Sequence, residues 1–292
     1  MTTAVLPAPK SGSPTWQWFR DAFRRHPTAI AGAMVLAVMV LTALLAPWLG
    51  TVDPQTLAPI QRLKPPSGEH WFGTDMLGRD VYSRVMYGSR ISLTVGIAVA
   101  AFSIAVGLAI GLVTGYIRWL DAIVMRVMDG LMSIPSVLLA IALMALTKAS
   151  VGNVILAITL AEVPRVVRLV RGLVLSLREQ PYVDAAVAAG TNLALILLRH
   201  ILPNTVAPLL VQGTYICASA MILEAILSFI GAGTPPNIPS WGNIMAEARS
   251  LFQIAGYLIL FPGLFLSLTV LAVNLLGDGM RDALDPRLAR RM

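Results

Sequence analysis

The chain has 292 residues, of which 57% are hydrophobic and only 13% charged, about half the ~25% charge share of an ordinary soluble domain. That balance argues against a water-soluble globule. Its 22 basic residues, of which only Lys10, Lys64 and Lys148 are lysines, face 15 acids for a net charge of +7. The charges lie between apolar runs rather than in one patch, which suits lipid headgroups or acidic partner surfaces and not nucleic acid. Cys217 is the only cysteine, so an intrachain disulfide, a cysteine-rich zinc site and a CxxC redox pair are excluded.

A spanning helix needs about 20 mainly apolar residues to cross ~30 Å of hydrocarbon. In chain order, residues 28–48, 91–115, 122–146, 152–173, 205–230 and 256–277 meet that requirement. The expected fold is an all-α polytopic membrane protein with six transmembrane helices, flanked by tails at 1–27 and 281–292. The first run follows some 27 residues, is long, and lacks a small-x-small cleavage site, so it reads as a retained anchor and not a signal peptide. Pro135, Pro164 and Pro262 fall inside the third, fourth and sixth runs, where neighbouring helices can satisfy the freed carbonyls. With the amino terminus placed in the cytoplasm, fifteen basic residues fall in cytoplasmic segments and seven on the other side. The positive-inside bias therefore predicts both termini inside.

Two connections are too long to be mere links, an external one at 49–90 and a cytoplasmic one at 174–204. In the external loop Glu69, His70, Asp75 and Asp80 show no metal-ligand spacing. Thr74 and Asp75 are expected to cap a turn or short helix, and Val81, Val85 and Met86 with Tyr82 and Tyr87 to form an amphipathic segment at the membrane interface. Asp75, Arg79 and Asp80, with Trp241 in a later external turn, are candidates for contact with an external protein, scaffolding being the alternative. In the cytoplasmic loop, Pro181 suits the first position of a helix and Gly190 the position past its end. Residues 181–189 should thus be helical, with Ala185, Ala186, Ala188 and Ala189 letting another surface come close. Thr191 or Asn192 then caps a second helix, Leu193–Ile201, expected to end near Pro203.

Several charged groups need separate accounts. Glu224, in the middle of the fifth run, is costly unless protonated or paired; it either accepts a hydrogen bond from a neighbouring helix or takes part in the pathway or its gating. Asp129 beside Arg126 suggests a local ion pair, with a pathway role as the alternative. Arg165, Arg168 and Arg171 have the every-third spacing of a voltage sensor, but they follow Pro164 at the end of a run, where snorkelling or partner pairing accounts for them more simply. HExxH and GxSxG are absent, and no lysine follows a glycine, so Walker A is absent as well. Any nucleotide site must lie on another chain.

Asp184-Ala185-Ala186, Gly190 and Leu202-Pro203 resemble the EAA loop of ABC importer permeases, with Asp184 in place of Glu and His200 in place of Ile. Gly73-Thr74-Asp75, Leu77-Gly78-Arg79-Asp80, Arg199 to Asn204, Glu224 to Gly231, Trp241-Gly242, Glu247-Ala248-Arg249 and Gly277 to Pro286 resemble the C-type subunits of dipeptide and oligopeptide permeases. The resemblance covers most of residues 70–290 and implies the binding-protein-dependent ABC importer permease fold in a bacterial inner membrane. It further implies a second homologous permease as heterodimer partner, two ABC ATPases that bind ATP and Mg, and an external substrate-binding protein. This chain would hold no cofactor, metal or catalytic residue of its own. Tyr182, Asp184, Ala185, Ala186, Gly190, His200, Leu202 and Pro203 form the set expected to meet an ATPase. Relatives of such subunits serve peptides, nickel complexes, opines and glutathione, so the solute stays open. A secondary transporter is the rival class, and it leaves the loop from Asp184 to Pro203 without a role.

Overall fold

Glycine recurs at 107, 111 and 115 in the second apolar run, and valine at 166 and 170 in the fourth and at 174 just past its end. Residues four apart share a helix face, and these two faces meet: a Cβ added at Gly107, Gly111 or Gly115 would fall 2.5–2.6 Å from the Cβ of Val166, Val170 or Val174 respectively. Small residues let helix backbones approach closely in an apolar bundle, and the constant offset along the stripe means that the two helices run parallel.

The computed structural model describes residues 27–284. The basic residues expected in the tails (Lys10, Arg20, Arg24, Arg25, Arg287, Arg290 and Arg291) and the Asp285-Pro286 end of the family-like segment lie outside them. The described helices are α1 (Pro27–Leu45), α2 (Val81–Tyr116), α3 (Arg118–Met132), α4 (Ser136–Ala145), α5 (Val151–Leu177), α6 (Pro181–Ala188), α7 (Leu193–Ile196), α8 (Leu202–Phe229), α9 (Trp241–Ala248) and α10 (Tyr257–Leu284). Side-chain caps start four of them: Asp80 for α2, Ser150 for α5, Asn192 for α7 and Ser240 for α9. The parallel pair α2 and α5 is the most extensive helix contact; α8 packs antiparallel to α2, and α10 packs on α1 and α8. Leu44, Leu146, Leu156 and Leu271 are each more than half exposed, so the bundle is apolar outside as well as inside, as lipid contact requires.

The six runs do not all become single spans. α1, α2, the rod from Leu193 to Phe229, and α10 are each long and apolar enough to cross a membrane, and the α3–α4 pair would add a fifth. That pair bends by 88°, where an uninterrupted third span was expected: Pro135 lacks an N–H and disfavours helix in Ile134, so it ends one helix and precedes the next. α5 has the length, about 40 Å at 1.5 Å per residue, and continues through Pro164, but Glu162, Arg165, Arg168 and Arg171 set its composition apart.

The expected interfacial segment at 81–87 is also corrected. Val81, Val85 and Met86 are buried, because Asp80 caps a 36-residue α2 that starts ten residues earlier than its apolar run suggests. The external loop therefore ends at Asp80. At about 54 Å, α2 exceeds the ~30 Å hydrocarbon core, and its first turns stand in a layer built with the 49–80 loop and α9. In that layer Arg84, 2% exposed, donates to both oxygens of Glu247 on α9 at 2.6 and 3.0 Å and to Asp75 Oδ2 at 2.7 Å. Arg79 donates to the same two carboxylates at 2.6 and 2.5 Å. Trp241, fully buried, donates its indole N–H to the Val85 carbonyl at 3.1 Å, while Arg90 donates to the last carbonyls of α1 at Ala43 and Leu44.

Two guanidinium groups against two carboxylates make a neutral, fully paired cluster. Removing one partner of a buried pair leaves uncompensated charge and costs about 3–5 kcal/mol. Arg84→Met is thus expected to lower the thermal midpoint of the detergent-purified protein, and the pair Arg84→Met with Glu247→Met to recover most of that loss by restoring charge balance. A single variant that melts with the wild type would refute this role.

Candidate functional site

At the opposite end from the 49–80 loop, α5 passes into a short helical hairpin. Pro181 sits in the first turn of α6, where its missing N–H costs nothing, and Asp184 lies in that turn with its charge favourable to the helix N-terminus. The helix closes on Gly190, whose φ is +76°. Gly190 N–H donates to Val187 O at 2.9 Å and Thr191 N–H to Ala186 O at 3.1 Å, the paired bonds of a Schellman stop. The expected helix 181–189 is present as Pro181–Ala188, and of the two candidate caps it is Asn192, accepting from Leu195 N–H at 2.8 Å, that starts α7.

The second helix of the hairpin does not end at Pro203. It continues through a π turn, Leu197–Ile201, into α8 as one rod of 37 residues. The wide turn, marked by Leu202 N–H donating to Leu197 O, relieves the clash between the Pro203 ring and the preceding turn, so the proline enters near the start of α8 and does not stop it.

Only one side chain of α6 is buried. Val183, 1% exposed, packs into the same core as Ile196 and Ile201, which fixes the helix to the rod. Tyr182, Asp184, Ala185, Val187 and Ala188 face solvent, with Ala186 at the edge. The Tyr182 ring lies 6.3 Å from that of His200, and Asn204 Nδ2 donates to the Tyr182 hydroxyl at 3.5 Å and to the His200 carbonyl at 2.7 Å. Leu202 is partly buried and Pro203 exposed. All eight residues singled out from the sequence therefore lie on one hairpin, whose outer face is small, weakly acidic and uncovered.

The external candidates separate. Asp75 is 5% exposed and Trp241 fully buried, so neither offers a surface to another protein. Asp75 instead turns the loop by accepting from the Leu77 and Arg79 N–H groups at 2.8 and 2.9 Å, and Arg79 is committed to the Asp75 and Glu247 carboxylates. Asp80 caps α2 and meets His70 Nδ1 at 3.1 Å. With Glu69, His70, Trp71 and Tyr82, Asp80 lines a cavity of about 200 Å³ open at that end.

Asp129 pairs with Arg168 at 2.6 Å and not with Arg126. Asp121 and Arg171 form a second, two-pronged pair between α3 and α5. Two of the three serial arginines are thus struts between helices. Glu224 is fully buried in α8, and its Oε1 accepts from the hydroxyls of Ser228 at 2.8 Å, Ser240 at 2.8 Å and Thr234 at 3.4 Å. Asn243 Nδ2 ties Thr234 Oγ1 at 2.8 Å to the carbonyls of Thr234, Pro235 and Ile238. Glu224 therefore holds the 231–240 connection and the cap of α9 onto α8. Sequence reasoning noted Arg84 only as an external basic residue within the Ser83-Arg84 portion of the family-like segment and gave it no role of its own, and it missed Glu162 altogether; an acid inside a long apolar run was the available signal.

The chain matches, over residues 85–290, the family described as binding-protein-dependent transport system inner membrane component, and over residues 14–66 the N-terminal TM domain of oligopeptide transport permease C. It is 52% identical to the "Probable peptide ABC transporter permease protein y4tQ" of Sinorhizobium fredii over 99% of both chains. It is 40% identical to the dipeptide transport system permease protein DppC of Alkalihalophilus pseudofirmus over 97% of this chain and 96% of that one. The glutathione transport system permease protein GsiD of Pectobacterium atrosepticum is also 40% identical, over 98% and 96%. Among solved structures, an inward-facing MetNI methionine ABC transporter chain aligns with a TM-score of 0.57 at 19% identity, over 71% of this chain and 95% of that one, a likeness of fold. These findings set aside the secondary-transporter alternative. The chain belongs to the inner membrane components of binding-protein-dependent transport systems, the permease subunits of ABC transporters.

Proposed function

We propose that this chain is one of two non-identical permease subunits of a bacterial peptide importer, with six crossings and both termini in the cytoplasm. ATP and Mg bind on two partner ATPases, a second permease completes the pathway, and an external binding protein delivers the solute. Relatives named for peptide, dipeptide and glutathione transport support a substrate class built on amide bonds. One observation carries the coupling role: α6 is fixed by Val183 yet leaves Tyr182, Asp184, Ala185 and Val187 uncovered, the form of a knob that fits a groove on another protein.

Closure of the ATPases would press on this knob. The load passes through Val183 and the π turn into the rod Leu193–Phe229, which reaches the Glu224 cage near the far end of the bundle. A continuous rod moves as a unit, so displacement at one end is felt at the other, and wide turns are recurrent sites of such adjustment. On the external side, the binding protein meets the cavity around Glu69, His70 and Asp80 and not the buried Asp75 or Trp241.

Affinity purification of the tagged chain in mild detergent, followed by mass spectrometry, is expected to recover a second permease and Walker-containing ATPases. Recovery of the chain alone in a stable complex would overturn the reading. In the same experiment Asp184→Arg, which reverses an exposed charge on the knob, is expected to reduce ATPase recovery severalfold; unchanged recovery removes electrostatics from the contact. Gly190→Val should leave insertion intact but uncouple ATP hydrolysis from uptake. A β-branched residue at φ +76° costs at least ~1–2 kcal/mol of backbone strain, enough to shift the helix stop. Normal coupled uptake by that variant would refute the assigned role of the turn.

A further inference from the structure

A group of polar side chains lies midway along the bundle, away from both ends. Glu162 is 12 residues into α5, about 18 Å from its cap at 1.5 Å per residue, and is 1% exposed. Among the described residues neither of its carboxylate oxygens has a hydrogen-bond partner; Arg165 Nη1 comes within 3.2 Å of Oε2, but in an orientation that makes an ion pair and no hydrogen bond. Buried Thr159 Oγ1, Ser103 Oγ and Gln212 Nε2 likewise lack hydrogen-bond partners.

The helix registers place these groups at one level. Gly107 meets Val166 and Gly111 meets Val170, so one turn earlier Ser103 on α2 stands at the level of Glu162 on α5. Gly213 meets Ile104 across the antiparallel contact of α8 with α2, which sets Gln212 on α8 within one turn of the level of Ser103. The Arg165 guanidinium lies over the Tyr215 ring, 5.3 Å from its centroid, joining α5 to α8 at the same height. Buried polar groups in native folds are nearly always paired, and an unpaired one in an apolar surround is unfavourable. Here an acceptor with two open oxygens and three open donors lie within about a turn of one level on α2, α5 and α8, and they do not satisfy one another. The arrangement fits a third party that carries both a cation and amide groups.

We propose that this cluster is a transit site for the peptide, in which Glu162 takes the α-ammonium group while Gln212 donates to a peptide carbonyl. The inference rests on the peptide-importer reading. An α-ammonium is present on every free peptide whatever its side chains, so a fixed carboxylate recognises the class without selecting a sequence. In this conformation Arg165 is the resting partner of Glu162; when the peptide arrives its ammonium replaces the guanidinium, which keeps its place over the Tyr215 ring.

The test uses the complete importer in proteoliposomes with saturating binding protein, measuring initial uptake of labelled alanyl-alanine, a pentapeptide and glutathione, together with binding-protein-stimulated ATP hydrolysis. Glu162→Gln is expected to cut uptake at least tenfold while stimulated hydrolysis stays within twofold of the wild type. Gln212→Leu is expected to assemble fully, because replacing a half-buried amide whose Nε2 makes no hydrogen bond by an apolar group of similar shape does not penalise the bundle, and to cut uptake about threefold. Wild-type uptake with Glu162→Gln would overturn the transit site and leave the importer standing. If Glu162→Gln fails to assemble, full uptake by Gln212→Leu overturns the proposal and reduced uptake by an intact Gln212→Leu complex upholds it. Absence of uptake of all three peptides by the wild-type importer would remove the substrate class and this site with it.

Discussion

The approach of α2 to α5 along Gly107, Gly111 and Gly115 is the constraint from which the rest of the bundle follows. Hydrophobic burial drives helices together only weakly in lipid, so close van der Waals contact has to supply the association. Valine serves on the facing stripe because its side chain has one strongly preferred rotamer in a helix and loses little freedom on packing. The stripe also makes α2 and α5 parallel. A chain that leaves the end of α2 and re-enters at the start of a parallel α5 has to return along the bundle in between, and α3 and α4 make that return with a bend at Ser133 to Pro135. Gly96 and Gly213 repeat the device between α2 and α8, so α2 sets the position of both neighbours.

The two ends of this bundle handle polar groups in opposite ways. At the end carrying residues 49–80, charges and hydroxyls are drawn inward: Arg84 and Arg79 against Asp75 and Glu247, Glu224 against three hydroxyls. The result is a rigid layer in which buried charge is neutralised within the chain. At the other end the hairpin of α6 and α7 buries little beyond Val183, Ile196 and Ile201 and leaves its alanines outside. Exposed α3–α5 ion pairs such as Asp129 with Arg168 add little stability of their own, on the order of 0–1 kcal/mol; what they add is orientation, holding α3 to α5 next to the hairpin. A rigid layer joined by one continuous helix to an uncovered knob is a division suited to transmitting displacement.

The sequence makes local features legible and long-range ones obscure. Pro181 and Gly190 bracket α6 because proline and glycine restrict their own backbone wherever they stand, and the resemblance of the Asp184 to Pro203 loop needs only neighbouring residues. Arg84 and Glu247 are 163 residues apart, so nothing local signals their pairing. For the same reason Trp241 looked like a surface residue, its partners Ser92 and Val85 lying on α2, while for Asp75 the local turn bonds to Leu77 and Arg79 gave no hint that Arg84 of α2 also reaches it. Asp129 had Arg126 within one turn, but its partner is Arg168 of α5, which comes within reach where Met128 of α3 packs with Val163 and Val167. Pro203 was read by its usual effect, and the π turn that defeats that effect depends on packing at Ile201 and not on any residue that announces it. The start of α2 was obscured because Arg84 and Arg90 interrupt its apolar pattern, although their partners make those positions interior.

Glu162 and Glu224 show how far residue type alone goes. Both are acids deep in apolar helices, and composition treats them alike as costly groups that ask for a reason. Each leaves Oε2 without a hydrogen bond among the described residues, yet their surroundings differ in kind. Around Glu224, three hydroxyls from α8 and the following connection converge on Oε1, and two of these also hold the loop and the α9 cap, so the acid is used up in building the layer. Around Glu162, the hydroxyls and the amide at its level point to no partner, and its one cation, Arg165, is itself half given over to Tyr215. A fold that neutralises Glu247, Asp75, Asp121 and Asp129 with well-placed arginines has the means to satisfy Glu162 as well. That it leaves this acid and its neighbours open, at mid-depth and where three helices meet, separates a group retained for what passes it from one retained for what it holds.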